Sequence, residues 1–308
     1  MKITKWFSEN LSFGKKYLRT TQRELTILID EAARSHANAY WWDKTLHCHE
    51  RGVSDERLCP EEVVVSLTSY GNRIHDVHLA VESIMQQVVK PNRIILWLAE
   101  NEFEGKTLPV ALQRQLDRGL EIAFYKDLRS YKKLIPSLEC FPEACIITID
   151  DDVAYYPNVI EKFVMAHLDH PSDICAGRIH QILMDGQGRP LPYHDWIKCA
   201  DTCPAINNQA FFTGVGGVLY PPHCFSEEVF NQAVYMSICE MTDDVWFNAM
   251  RVRDGIRLTP VFSPNRKGDY VLLHASSVAP LWNKNARQGN DLAIAAVYGR
   301  YGLFEKLK

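Results

Sequence analysis

Residues 145–157 read CIITIDDDVAYYP, an apolar, β-branched run that stops abruptly at three consecutive carboxylates, Asp150, Asp151 and Asp152. A short run of this kind, with no polar alternation, is expected of a strand covered on both faces. Three adjacent carboxylates at a strand end repel one another and are costly without a compensating cation. An extended backbone would put Asp150 and Asp152 on one side and Asp151 on the other. A hard divalent ion, Mn2+ or Mg2+, would relieve the repulsion if it were itself bound to a diphosphate. The plainer reading is a solvated acidic turn in which one Asp caps the next helix.

Working outward, 63–67 and 94–98 are further strand-like runs, and 121–124 is a third. Between them, Ile74, Val77, Val81, Ile84, Met85 and Val88 fall on one helical face, and 109–118 has a helical pattern. Strands alternating with helices predict a mostly parallel α/β sheet, whose ligands collect at the carboxyl ends of the strands. Residues 1–60 differ in texture. Thr21 and Glu24 have capping-box spacing ahead of a helix over 22–39, and 51–61 is polar and linker-like. The chain therefore divides into a helical N-terminal extension, 1–60, and an α/β domain, 61–308.

Bulk properties narrow the function. A net charge of -4 provides no field to hold a polyanion, so nucleic acid is not an expected partner. The nine cysteines are scattered and odd in number, which suits reduced thiols in the cytosol rather than a disulfide framework. His47, Cys48, His49 and Cys59, or Cys199 and Cys203, could be grouped as zinc ligands, but neither set has a CxxC knuckle. No signal segment or membrane-length apolar run occurs, so a cytoplasmic location is expected. The basic and aromatic residues between Lys2 and Arg23 suit peripheral contact with an anionic membrane, or simply a packed, solvated arm.

Four other stretches carry chemistry. In CEMTDDVWFNAM, Thr242 is placed to cap a helix whose first turn holds Asp243 and Asp244. Either Asp is a candidate base or electrostatic stabiliser, and the bland alternative is a helix start. Trp246 and Phe247 are a sugar platform or, more commonly, core. In FFTGVGGVLYPP, Gly214, Gly216 and Gly217 permit close backbone approach, so Gly216 and Gly217 are candidates for the wall of a donor-sugar site or for a bulged strand. Downstream, His274 is a candidate metal ligand, Trp282 a candidate sugar contact, and Lys284 or Arg287 a cation to close over a diphosphate. The first strand ends in TSYGNR, offering Thr68, Ser69, Tyr70 and Arg73 to a nucleotide.

The order of these elements resembles GT-A fold glycosyltransferases, in particular the bacterial capsule enzymes that add N-acetylglucosamine to heparosan and their relatives. The resemblance runs over about 63–298 through TSYGNR, KDLRSYKKLIP, IDDDVAYYP, DDVWFNAM and SSVAPLWN. It implies a UDP-sugar donor, Mn2+ or Mg2+ as cofactor, and a glycan or lipid-linked glycan acceptor in surface polysaccharide synthesis (capsule or lipopolysaccharide). It also implies retention of configuration. By position it brings Asp127 and Lys133 to the nucleotide with Thr68, Ser69, Tyr70 and Arg73. Asp152 is expected on the metal, Asp150 on ribose or a metal-bound water, and Asp151 on the donor sugar. Asp244, rather than Asp243, takes the reaction centre, and Trp282 and Asn283 fall in its closing loop. A sugar-nucleotidyltransferase or metal-dependent phosphohydrolase is the alternative for the same acidic strand end. A silent sugar-binding module is a third possibility. TSYGNR lacks the Gly-rich basic loop the nucleotidyltransferase would carry, and no close-set His and Asp ligands mark a phosphohydrolase.

Overall fold

A computed structural model describes residues 2–198, 208–261, 263, 269–273 and 289–307, with side chains from residue 20 onward. Helix α1, Lys2–His47, runs unbroken for 46 residues. The helix expected over 22–39 is thus the middle of a longer one, and Thr21 caps nothing, because the chain is already helical there. No proline interrupts it, and Lys44 and His47 in its last turn suit the negative end of the helix dipole. Among its described side chains, Ala37, Trp41 and Thr45, each one turn apart, are buried, and Ala37 and Trp41 pack in one cluster with Leu79 and Ala80.

The α/β body contains β1 (Val63–Thr68), α2 (Val77–Met85), β2 (Arg93–Ala99), α3 (Glu100–Phe103), α4 (Val110–Leu116), β3 (Leu120–Tyr125), α5 (Ile135–Cys140) and β4 (Cys145–Thr148). There follow β5 (Val153–Tyr155), α6 (Val159–Asp169), β6 (Ile174–Ala176), β7 (Ile179–Gln181), β8 (Ala210–Phe212) and β9 (Val218–Tyr220). The remaining elements are α7 (Gln232–Ile238), α8 (Asp243–Asp254), β10 (Leu258–Pro260), β11 (Tyr270–Leu272) and α9 (Asn290–Arg300).

Seven strands form the central sheet in the order β10-β6-β9-β4-β1-β2-β3. All neighbours are parallel except β9, which runs antiparallel to β4 and β6. Strand β1 is central: Val63, Val64, Val65 and Leu67 are fully buried. Each such side chain contributes about 1.5–3 kcal/mol of transfer free energy, and the two faces of the sheet feed two separate apolar clusters. From β1 the chain steps outward to β2 and β3, then returns to the other side as β4. The carboxyl ends of β1 and β4 therefore flank the point where the winding reverses, the position where α/β sheets open a crevice.

Two local expectations change. The polar stretch 51–61 is not a free linker: Gly52 donates to the Arg118 carbonyl at 2.8 Å and Ser54 to that of Pro91 at 2.9 Å. A Cβ at Gly52 would lie 2.3 Å from Met85 Cγ, so only glycine lets the chain pass there. The aspartate triplet is not extended either. Strand β4 ends at Thr148, and Asp151 and Asp152 form a turn into β5, which pairs with β11. The expected alternation of the three side chains is lost in that turn.

Candidate active site

A cavity of about 1240 Å³ opens at the carboxyl ends of β1 and β4. Its floor carries Asp150, Asp151 and Asp152, and its side carries Asp243 and Asp244 from the first turn of α8. Thr68, Ser69, Tyr70, Arg73, Asp127 and Lys133 line it as well. The fold thus gathers into one cleft the candidates that the sequence scatters over more than 170 positions.

Their contacts differ from the roles first assigned. Ser69 Oγ donates to Asp151 Oδ2 at 2.6 Å, and Arg73 Nη1 to Asp151 Oδ1 at 2.7 Å. Arg73 Nη2 lies 3.1 Å from Asp152 Oδ2, because the turn brings both carboxylates to the same guanidinium. In this structure Ser69 and Arg73 hold aspartates. Tyr70 is exposed on the rim with Arg73 beside its ring, 5.3 Å from the centroid. Thr68 Oγ1 donates to the Trp97 carbonyl at 2.8 Å. Asp127 accepts from Lys132 Nζ at 2.5 Å and from the Arg129 amide at 3.0 Å.

Lys133 is the other anchor. Its ammonium donates to Asp150 Oδ1 at 2.9 Å and lies 3.1 Å from Asp243 Oδ2, out of line for a hydrogen bond. Burial works against its charge, but Asp150, Asp243 and Asp244 override that and raise its pKa well above the lysine range. Its backbone is fixed from beneath: Ser66 Oγ on β1 donates to the Lys133 carbonyl at 2.6 Å and meets Ser137 Oγ at 2.8 Å.

Asp244 receives the Gly214 amide on both oxygens, at 3.1 and 3.2 Å. Burial, then Asp243, raises its pKa to about 7, against the pull of Lys133. Burial, then Asp151 and Asp150, likewise pushes Asp152 up to about 6, against Arg73. Asp151 is also raised, chiefly by burial. These carboxylates are short of positive charge even with two cations in contact. A hard divalent ion fits that deficit, and the donors facing the cleft are carboxylate oxygens. Asp150 and Asp152 expose more of their side chains to it than Asp151, at 27% and 17% against 7%. They do not form a closed cage. Among the described residues, the set of metal-type ligands that converges lies elsewhere, at Cys59, Glu61, Cys145 and His167. An ion here would need ligand oxygens from a phosphate to fill its shell, as Mg2+ sites commonly do.

The glycine expectation is corrected. Gly216 and Gly217 pack into the protein rather than line the cavity: a Cβ on Gly216 would meet the Arg178 backbone nitrogen at 2.8 Å, and one on Gly217 the Phe163 ring at 3.0 Å. Gly214 is the glycine at the site. A Cβ there would come 2.7 Å from Lys133 Nζ and 3.3 Å from Asp244 Oδ1. Trp246 and Phe247 are buried core. Thr242 makes no side-chain cap to α8, since its hydroxyl donates to the Cys239 carbonyl. His274, Trp282, Asn283, Lys284 and Arg287, with Cys199 and Cys203, lie outside the described residues.

Several site residues escaped the sequence reading. Ser130 Oγ donates to Asp243 Oδ1 at 2.8 Å, and Tyr155 joins the Asp150 amide to the Val215 carbonyl at 3.2 and 3.1 Å. Asn248 exchanges hydrogen bonds with the Phe212 backbone at 3.0 and 2.9 Å, fixing α8 to β8. Arg178, His180, Tyr193 and Lys198 also line the cavity. Ser130, Tyr155 and Asn248 lie inside motifs already marked; Arg178, His180, Tyr193 and Lys198 come from short strand, turn and loop segments that carry no motif.

By sequence, no family model and no curated protein matches the chain. By structure, it superposes on the mannosyltransferase PcManGT from Pyrobaculum calidifontis, solved in complex with GDP-Man and Mn2+, with a TM-score of 0.50 and 12% identity over 91% of this chain and 79% of that one. The likeness is one of fold: a mostly parallel seven-stranded sheet flanked by helices, similar to that of this neighbour. HddC from Yersinia pseudotuberculosis aligns over 53% of this chain and 77% of its own, at 13% identity and a TM-score of 0.34, too little to bear on the site. No described helix is long and apolar enough to cross a membrane.

Proposed function

We propose that the chain is a divalent-ion-dependent glycosyltransferase that takes a sugar from a nucleotide-sugar donor. The observation that carries this is the cluster of five aspartates in one cleft, with Asp152 and Asp244 both titrating far above an ordinary carboxylate. Asp152 and Asp150 would hold Mn2+ or Mg2+. Such an ion ties the donor's diphosphate to the protein and takes up charge on the leaving nucleotide. Asp244, fixed by the Gly214 amide, faces the cavity to stabilise positive charge growing at the anomeric carbon, as retention of configuration requires. In an inverting reaction the same group would take the acceptor's proton. Lys133 and Arg73 keep the remaining carboxylates in place without neutralising the cleft.

The donor is a UDP-sugar, an N-acetylhexosamine in the finer form of this reading, and the acceptor is a glycan or lipid-linked glycan of a bacterial surface polysaccharide. The GDP-Man bound by the structural neighbour makes GDP the competing nucleotide. The location is cytoplasmic, with the basic segment of α1 against the membrane surface. Melting temperature should be measured with 1 mM UDP, GDP and CMP, each with and without Mn2+. A nucleotide bound at a Kd of about 10 µM should stabilise the protein by about 2.7 kcal/mol, only when the ion is present, and Asp152→Ala should abolish the shift. If no nucleotide gives an ion-dependent shift, the reading fails. NMR of the product from the matching sugar nucleotides then gives the donor and the stereochemistry.

A further inference from the structure

At the amino ends of β1 and β4, opposite the cleft at their carboxyl ends, a second set of polar side chains converges. Cys145 is the first residue of β4, and His167 lies in the last turn of α6. Cys59 and Glu61 come from the segment that leads into β1. One ligand atom from each, the two Sγ, a carboxylate oxygen and an imidazole nitrogen, all lie within 4.8 Å of one another. Cys145 Sγ stands 3.3 Å from His167 Nε2, and that nitrogen 3.2 Å from Glu61 Oε2. Cys59, Cys145 and His167 are nearly inaccessible, and the Glu61 side chain is 27% exposed.

We propose that Cys59, Glu61, Cys145 and His167 form a structural zinc site that clamps the segment before β1 to β4 and α6. The spacing suits the ion. With bonds of about 2.3 Å to sulfur and about 2.0–2.1 Å to nitrogen and oxygen, tetrahedral zinc sets its ligands about 3.3–3.8 Å apart. The two distances above fall within about 0.3 Å of that range, and the other separations, none above 4.8 Å, would close by side-chain rotation as the shell forms. The imidazole is committed to the cluster: Nε2 faces the sulfur and the carboxylate, while Nδ1 is buried without a partner. Two thiolates and an imidazole are soft and borderline donors. They select zinc over the Mn2+ or Mg2+ suited to the all-carboxylate cleft. Four protein ligands leave no open position, which marks a structural rather than a catalytic ion. Binding requires both thiols to lose their protons to solvent, so uptake releases acid and weakens as pH falls.

The clamp has mechanical consequences. The Cys145 amide donates to the Glu62 carbonyl at 2.8 Å, so the ion would sit where the segment after α1 joins the sheet. It would hold together three pieces of chain, the outermost of which, at Cys59 and His167, are more than 100 residues apart in sequence.

The test uses the full chain, purified with a thiol reductant and no chelator, and counts bound metal by elemental analysis. The expected result is one zinc per chain. Replacement by Co2+ should produce a thiolate-to-metal charge-transfer band, and stripping with a strong chelator should lower the melting temperature by about 5–10 °C. Cys59→Ser should lose the band and the ion. Glu61→Gln, a milder change at the exposed ligand, should bind zinc at least tenfold more weakly while the fold stays intact. Asp152→Asn should keep both the ion and the band, since no described thiol lines the cleft. Less than a tenth of an equivalent of zinc with no cobalt band would mean a metal-free hydrogen-bonded cluster. Uptake unchanged in Cys59→Ser, or lost in Asp152→Asn, would put the ion elsewhere. Each of those results overturns the proposal, and none bears on the transferase reading, which rests on nucleotide binding.

Discussion

Two buried clusters of charge in this molecule obey opposite rules. On one face of the sheet, Glu82 on α2 is fully buried, and Arg118 grips it with two hydrogen bonds of 2.8 and 3.0 Å. Gln86 and Gln115 add donors at 2.8 and 3.0 Å, and Arg118 Nε donates to the Glu50 carbonyl at 2.8 Å. One carboxylate meets one cation, and its oxygens are saturated with donors. In the cleft, four carboxylates share the contacts of Lys133 and Arg73, Asp244 takes the Gly214 amide instead, and Asp152 and Asp244 are pushed toward the neutral form. The first cluster is finished by folding. The second is left incomplete, and that incompleteness suits a site whose missing charge arrives with a ligand.

The contrast can be broken by substitution. Arg118→Met strands Glu82 in the interior and should lower unfolding free energy by about 3–5 kcal/mol, measured by urea denaturation. Activity per folded molecule should be unchanged; a large loss of rate would mean that the closed cluster also serves the cleft. Asp244→Asn should do the reverse. Transfer should fall by about 10²–10³-fold in a product assay, with stability equal to or above that of the parent, because a desolvated carboxylate has been removed.

A smaller change sharpens the comparison inside the cleft. Gly214→Ala puts a methyl against the Lys133 ammonium and Asp244 and should reduce transfer by about tenfold, a loss of about 1.4 kcal/mol in transition-state binding. Gly214→Ala at wild-type rate would mean that Lys133 can shift without consequence.

The last prediction concerns pH. The folded-state pKa of Asp244, about 7, exceeds its unfolded value of 3.8. Between those values the folded protein holds a proton that the unfolded chain releases, so this group weakens stability as pH rises from about 4 to about 7. The melting temperature of Asp244→Asn relative to the parent, in metal-free buffer, should therefore climb across that window and level off above it. A difference that stays flat with pH would show that Asp244 is already ionised at pH 4.

Much of the fold was legible because the relevant signals are local. A strand buried on both faces must be an unbroken apolar run, and 63–67, 94–98 and 145–149 are such runs, so β1, β2 and β4 could be read directly. The full length of α1 was less legible, because its exposed Leu25, Leu28 and Ile29 blur its amphipathic pattern. Strands β5 and β11 are three residues each and too short for any period to register. Within the site, the residue types stood out while their partners did not. Nothing in TSYGNR indicates that Ser69 and Arg73 are taken up by Asp151, since that contact spans about 80 residues.

The sequence alone determined that strands alternate with helices and that one buried strand ends in three carboxylates. Both follow from the order of apolar and charged residues along a few turns of chain. Tertiary structure decided how those carboxylates divide the available cations. A turn at Asp151 and Asp152 gives both to Arg73, while Lys133 takes Asp150 from just past the end of β4 and Asp243 from the first turn of α8. It also decided which glycine faces the cleft, and that Cys59 meets Cys145 and His167 rather than Cys48. Electrostatic and coordination contacts depend on distances of about 3 Å, and only the folded chain fixes distances between residues that are remote in sequence.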